Sequence, residues 1–173
     1  MPFYRKLGSI PHKRHTVFRQ PDGALYHEQL FGTIGFDGMS SLLYHVNPPT
    51  RVTDIKGSKD VSPKIAIDKN MQMRAFKGFD VPEIEDLLDS RIPVLTNSDV
   101  TLHLSRPKNL SQDYFYKNVD ADEVIFIHEG RGSLKTQVGT IEFSYGDYLV
   151  VPRGMIYQMT FEDPGNKAFW SVT

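Results

Sequence analysis

The sequence predicts an all-β protein, an antiparallel β-barrel or sandwich, from three observations. Short segments rich in β-branched and aromatic residues follow one another, and Gly, Pro, Asn or Asp bounds them. From Val100 onward these segments alternate apolar and polar positions, which is typical of strands with one buried face. Helical periodicity is weak along the chain. We therefore expect one main β domain with an N-terminal extension.

Residues 1–99 are predicted to form an N-terminal β-layer, and residues 100–173 a barrel. The strand-like pieces are ALYHEQL, SSLLYHV and KIAID in the first part and VTLHL, EVIFIHE, SLKTQV, TIEF, DYLVVP and IYQMTF in the second. One short helix is predicted near residues 82–91, because Pro82 suits a first turn and Ile84, Leu87 and Leu88 share a face. The polar loop GSKDVSP, at residues 57–63, is a candidate divider between β-layer and barrel.

Composition excludes several classes of function. The net charge of -1, from 20 basic and 21 acidic residues, gives no overall attraction to nucleic acid or acidic membranes. The absence of Cys excludes disulfides, thiolate metal sites and a cysteine nucleophile. No apolar run approaches the ~20 residues that cross a bilayer, and the opening residues lack the apolar core of a signal peptide. We expect a soluble, cytoplasmic protein.

Two blocks in the second half have a defined spacing. Six residues separate Glu123 from Gly130. Five residues separate Gly146 from Pro152-Arg153-Gly154, and two more precede Tyr157. This arrangement resembles the two motifs of the cupin superfamily. In metal-binding cupins a His-x-His pair precedes the glutamate, and a third histidine follows the Pro-x-Gly.

The metal-ligand positions of that motif hold other residues here. In place of the His-x-His pair stand Tyr116 and Asn118, or Lys117 and Val119 in the alternative alignment. Tyr157 replaces the third histidine, so Glu123 alone remains. Residues two apart on a strand point to one face, and the original pair would aim two imidazoles into the barrel. We therefore expect the chain to form the barrel without binding a metal. We expect Glu123 to have a structural or interface role.

The six histidines do not supply a metal site either. They are His12, His15, His27, His45, His103 and His128. The first two flank basic residues in a solvated or subunit-contacting arm, and the next two are expected to be hydrogen-bonded structural histidines. On its strand His103 points away from the face of its leucine neighbours, and His128 lies opposite to Glu123. None is assigned as a ligand.

Several blocks together resemble the N-terminal half of bacterial homogentisate 1,2-dioxygenase. They are the opening fifty residues, DVSPKIAI, DYFYKNVDADEVIFIHEGRGSL and YGDYLVVPRGMIYQM. The resemblance implies a bicupin enzyme that uses Fe(II) and oxygen to cleave homogentisate to maleylacetoacetate in tyrosine and phenylalanine breakdown. It also implies trimers that pair into hexamers. In that family the iron ligands and the catalytic histidine belong to the C-terminal cupin, so no catalytic or cofactor-binding residue is assigned in this chain.

Two hypotheses follow. In the first, the chain is the metal-free N-terminal portion of such a dioxygenase, inactive alone, with a scaffolding and oligomerisation role. In the second, it is a self-standing metal-free cupin that binds a small molecule or a protein partner. The final residues NKAFWSVT read as an interrupted strand and favour the first. We then expect Phe169 and Trp170 to face water at a vacant docking surface or a subunit contact.

Overall fold

The computed structural model describes residues 17–49, 51–67, 72–162 and 167–173. The chain forms two compact units, which divide between Asp60 and Val61. This division falls inside the polar loop of residues 57–63. Within the described ranges, no helix has the length and apolarity needed to span a membrane.

The first unit contains an antiparallel hairpin, formed by β1 (His27–Ile34) and β2 (Asp37–His45). Gly35 and Gly38 have φ of 55° and 72°, so the tight turn between the strands uses left-handed backbone that favours glycine. Inside the hairpin, His45 Nε2 lies 2.8 Å from Gln29 Oε1. This contact agrees with the structural role expected for His45.

The second unit contains the remaining strands of the described chain. They are β3 (Ile92–Thr96), β4 (Thr101–Ser105), β5 (Tyr116–Lys117), β6 (Glu123–Glu129), β7 (Gly132–Thr136), β8 (Gly139–Phe143), β9 (Tyr148–Val151), β10 (Ile156–Phe161) and β11 (Ala168–Val172). A five-stranded sheet has the order β3-β4-β11-β6-β9, and a four-stranded sheet has the order β5-β10-β7-β8. All of these pairs are antiparallel. The all-β, antiparallel fold prediction is therefore confirmed.

The core lies between the inner faces of the two sheets. In β6, Ile125 and Ile127 are fully buried, whereas Val124 and Phe126 are partly exposed, as the alternating pattern predicts. Aromatic side chains fill much of the interior, and the rings of Phe143 and Phe161 meet edge to face with centroids 5.3 Å apart. The buried apolar set is Leu87, Ile125, Ile127, Leu134, Phe143, Leu149, Val151, Met155, Tyr157, Met159, Phe161, Ala168 and Phe169.

The predicted helix at residues 82–91 is wrong. The segment forms an isolated bridge from Ile84 to Pro107, followed by turns, and the nearest helical element is a short 3₁₀ turn at Gly78–Asp80. The Asp86 carboxylate accepts hydrogen bonds from the backbone N–H groups of Leu88 and Asp89 at 2.9 and 3.0 Å. These are the bonds of a helix N-cap, but only one turn follows before β3. The backbone of Ile84 pairs instead with the segment after β4: its N–H donates to the Arg106 carbonyl at 3.1 Å, and its carbonyl accepts from the Lys108 N–H at 2.9 Å.

The expectation for the last strand needs a partial correction. Phe169 is fully buried, because β11 is a central strand and its inner face packs into the core. Trp170 lies on the opposite face, partly exposed, with its ring 5.4 Å from that of Phe126 and 5.8 Å from that of Tyr148. Only Trp170 of the two is on the outer surface.

The predicted domain boundary at residue 99 lies inside the second unit. Strand β3, which precedes it, pairs with β4, which follows it, through partners such as Leu95 and Leu102. Residues 92–96 therefore belong to the five-stranded sheet, and the compact units divide earlier, at residue 60.

Gly132 provides a test of the packing between β7 and β10. A Cβ atom at this position would overlap the carbonyl oxygen of Thr160 and lie 2.8 Å from the Cα of Phe161. We expect Gly132→Ala to lower the free energy of unfolding by about 3 kcal/mol or more, since backbone atoms must move. Urea unfolding measures the change. The control is Gly57→Ala, where nothing lies within 4 Å of the added atom; an equal loss in both variants would contradict the prediction.

Candidate functional site

Arg91, Glu123 and Tyr157 form a closed hydrogen-bonded ring in the interior of the second unit. The guanidinium donates from Nη1 to Glu123 Oε1 at 2.6 Å and from Nη2 to the Tyr157 hydroxyl at 2.5 Å. The Tyr157 hydroxyl in turn donates to Glu123 Oε2 at 2.7 Å. The Glu123 side chain is 0% exposed and that of Arg91 is 8% exposed. We call these three residues the interior triad.

The triad joins the two sheets across the core. Glu123 is the first residue of β6 in the five-stranded sheet, and Tyr157 belongs to β10 in the four-stranded sheet. Arg91 follows the turn of residues 87–90 and immediately precedes β3. The turn is anchored where the buried Ser90 hydroxyl lies 2.6 Å from that of Ser105 in β4. Strand positions therefore aim the carboxylate and the phenol inward, and the turn delivers the guanidinium.

Charge and burial set the protonation states of the triad. Burial lowers the pKa of Arg91, but the charges and hydrogen bonds of Tyr157 and Glu123 outweigh burial and raise it above its ordinary value. Burial also raises the pKa of Tyr157, and the negative charge of Glu123 opposes ionisation further. Arg91 is therefore a cation and Tyr157 a neutral phenol that donates to the carboxylate. The carboxylate is therefore buried together with a cation and two hydrogen-bond donors, instead of alone.

Tyr116 borders the triad, whereas Asn118 does not reach it. The ring of Tyr116 meets that of Tyr157 edge to face at 5.5 Å, and the Arg91 guanidinium carbon lies 5.4 Å from its centroid. Asn118 instead shapes the following loop, since its side-chain oxygen accepts from the N–H groups of Asp120 and Ala121 at 3.0 and 3.1 Å. Of the four motif positions, the structure brings three together.

The alternative alignment places its residues on the surface. Lys117 and Val119 are both exposed, so neither points a side chain into the interior. Register explains the difference, because Tyr116 lies opposite Tyr157 in the β5–β10 pair and Lys117 lies opposite Ile156.

His103 lies on the inner face of β4, directly opposite Ser171 of β11. Its Nδ1 atom and the Ser171 hydroxyl are buried without a hydrogen-bond partner among the described residues. Burial lowers the pKa of His103, and the positive charge of Arg91 lowers it further. Both effects favour the neutral imidazole. As predicted, it points away from the face of Leu102 and Leu104.

The structure describes three further histidines, one in the second unit and two in the hairpin of the first. His128 is on the outer side of β6, stacked on Phe79 with ring centroids 4.3 Å apart. His27 is exposed at the start of the hairpin, where it pairs with His45. His12 and His15 lie outside the described residues. Within the described ranges, no group of three His, Cys, Asp or Glu side chains is placed to hold a metal ion.

Arg91 is the functional residue that sequence reasoning missed. Its position in the turn before β3 carries no motif, and Glu123 lies 32 positions further along the chain. One signal was available: a glutamate that remains at a metal-ligand position without the metal needs another cation if it is buried. The sequence alone offers 20 basic residues for that role and no means to choose among them.

Removing the charge of Glu123 tests the energetics of the triad. We expect Glu123→Gln to lower the free energy of unfolding by about 3–5 kcal/mol, because the buried guanidinium loses its anion. The control is Glu85→Gln, whose pair with Lys108 spans 3.0 Å but has side chains 67% and 49% exposed. Such surface pairs contribute about 0–1 kcal/mol. Chemical denaturation of both variants measures the two losses of unfolding free energy. Equal losses would contradict the prediction, because the buried pair of Glu123 and Arg91 would then contribute no more than the exposed pair of Glu85 and Lys108.

The lowered pKa of His103 predicts a pH dependence of stability. Between the folded value and the ordinary value of 6.5, the unfolded chain binds more protons at this residue than the folded chain does. Stability should therefore fall as the pH drops through 6.5. In His103→Gln this part of the dependence should disappear. Melting temperatures across the pH range test it, with the exposed His27→Gln as control; an unchanged profile in His103→Gln would refute the assignment.

Comparisons of the sequence with known proteins indicate one family. A protein of Saccharolobus solfataricus named "Putative dioxygenase SSO1533" is 36% identical over 162 residues, which are 94% of this chain and 42% of that protein. The chain thus spans less than half the length of this curated relative.

Likeness to solved structures is more remote. A protein of unknown function from Rhizobium leguminosarum is 23% identical with a TM-score of 0.48, covering 60% of this chain and 97% of that one. A cupin-2 domain protein from Shewanella frigidimarina is 17% identical with a TM-score of 0.43, covering 49% of this chain and 78% of that one. The family is shown by sequence: the model described as homogentisate 1,2-dioxygenase N-terminal matches residues 5–171, and the chain belongs to that family.

Proposed function

We propose that this chain is the metal-free N-terminal portion of a homogentisate 1,2-dioxygenase and that it scaffolds the part of the enzyme that holds Fe(II). The observation that carries the proposal is the interior triad. It fills the position where the motif would place a metal with a neutral arrangement whose three members hydrogen-bond to one another. The chemistry of ring cleavage is then assigned to the part of the enzyme that this chain does not include.

The residues present do not fit Fe(II). Both carboxylate oxygens of Glu123 already accept hydrogen bonds, one from Arg91 and one from Tyr157. An iron site needs several N and O ligands with open positions, and within the described ranges no three acidic or imidazole side chains are placed to share an ion. No step of the reaction is therefore assigned to residues of this chain.

The outer face of the five-stranded sheet supports a scaffolding role. Two cross-strand rows lie on this face, and every residue in them is apolar or aromatic. The first row is Ile92, Leu104, Trp170, Phe126 and Tyr148, and the second is Leu95, Leu102, Val172, Val124 and Val150. Tyr148 and Val150 are 59% and 67% exposed. An antiparallel sheet that faces water normally has a polar outer face, so an outer face with these apolar rows is suited to burial against a partner.

The proposed occupant of this outer face is the remainder of the dioxygenase polypeptide. The curated relative is more than twice as long as the matched region, so a polypeptide of that type has further structure available to cover it. Interface cores are rich in aromatic residues, and this face offers Trp170, Phe126 and Tyr148 in contact with one another.

Enzyme assays test the proposal. The chain alone should bind no stoichiometric Fe(II) and should consume no oxygen with homogentisate. The same chain, fused to the part of the Saccharolobus relative that it does not cover, should bind iron and consume oxygen. In the fusion, Val150→Asp should reduce activity by disrupting the docked face, whereas Ile141→Asp, an exposed edge-strand position on the other sheet, should not.

Three outcomes would contradict the proposal. Oxygen uptake by the chain alone would place catalysis within it. Equal activity of the Val150→Asp and Ile141→Asp fusions would remove the docking role of the outer face. A chain that stays monomeric and binds a small molecule on this face, with iron and oxygen uptake absent from the fusion, would favour the self-standing binding module.

A further inference from the structure

The guanidinium of Arg91 lies between the two side chains that the motif spacing assigns to metal-ligand positions. It contacts Glu123 at 2.6 Å and the Tyr157 hydroxyl at 2.5 Å. A metal ion in this place would need the same two oxygens. The chain therefore supplies its own cation to the interior, from a turn outside the two motif blocks.

The geometry around this cation suits a flat group. The two terminal nitrogens of Arg91 meet two different oxygens, and Tyr157 closes the ring by donating to the second carboxylate oxygen. The ring of Tyr116 lies 5.4 Å from the guanidinium carbon. Paired donors and a neighbouring aromatic ring are the features by which proteins recognise guanidinium, whereas an ammonium or metal ion acts as a point charge.

The charges of the neighbouring residues also favour a cation with a single positive charge. Glu123 is the one acidic member of the triad, and Tyr157 remains a neutral phenol because burial raises its pKa. His103, the nearby imidazole, adds no negative charge. A divalent ion in place of the guanidinium would leave an uncompensated positive charge in the core, and an unpaired buried charge is strongly disfavoured.

We propose that Glu123, Tyr157 and Tyr116 form a binding site for a planar monocation, and that Arg91 is its tethered occupant in place of a divalent metal. Truncation of Arg91 vacates this site and leaves its walls intact. Free guanidinium ion is then the ligand that fits. The proposal concerns this chain alone and does not depend on the docking partner or on enzyme activity. The cation site and the proposed function can therefore each be disproved without the other.

Chemical rescue of Arg91→Ala is the test. The melting temperature is followed by Trp170 fluorescence in guanidinium chloride at concentrations far below those that denature proteins, with equal NaCl as the salt control. We expect Arg91→Ala to melt below wild type, and to recover by roughly 3–6 °C when guanidinium is about tenfold above its dissociation constant. Wild type should not respond, since its site is filled. Arg91→Ala with Glu123→Gln should not respond, since the anion is gone.

A second measurement is used if the Arg91→Ala variant does not fold. If Arg91→Ala is unfolded in NaCl, the yield of folded protein on dilution into dilute guanidinium replaces the melting temperature, and a guanidinium-dependent gain supports the site. The absence of any response in stability or yield overturns the proposal. So does stronger stabilisation of Arg91→Ala by Co(II) than by guanidinium, or stoichiometric Co(II) binding by wild type that Glu123→Gln abolishes.

Discussion

The contact between Arg91, Glu123 and Tyr157 is the constraint on which the second unit depends. Two sheets can pack through apolar side chains alone and still slide, since hydrophobic contacts are not directional. The triad adds directed bonds that tie the start of β6 to β10 and to the turn before β3. A buried carboxylate without its partner raises the free energy of the folded state. Any arrangement of the sheets that separates these three residues is therefore disfavoured.

The parts of this fold that depend on local pattern could be predicted from the sequence. Alternation in EVIFIHE separated the residues of the two faces of β6, and the motif spacing singled out both Glu123 and Tyr157, two residues of the triad. The helix prediction at residues 82–91 failed because the backbone of Ile84 hydrogen-bonds to Arg106 and Lys108 instead of to its own segment. Propensity and amphipathic spacing take no account of such long-range pairing.

Arg91 and the inner role of Phe169 could not be predicted, for a different reason. Each depends on which segments become neighbours, and this is a long-range property. Strand β11 pairs with β4 and β6, which are far from it along the chain, and this central position buries Phe169. Likewise, the partner of Glu123 is 32 residues away on a segment without a motif. A single sequence does not show side-chain roles that depend on which strands become neighbours.

The central position of β11 also constrains the order of folding. Strands β4 and β6 are each bonded to β11 and not to each other, so the five-stranded sheet remains in two parts until residues 168–172 arrive. The β3–β4 hairpin and the β6–β9 pair can form earlier, but their joining closes a long stretch of chain. Contacts of this range slow folding, because the entropy of loop closure is lost before they form. During synthesis, each part would expose an unpaired edge until the last strand inserts between them.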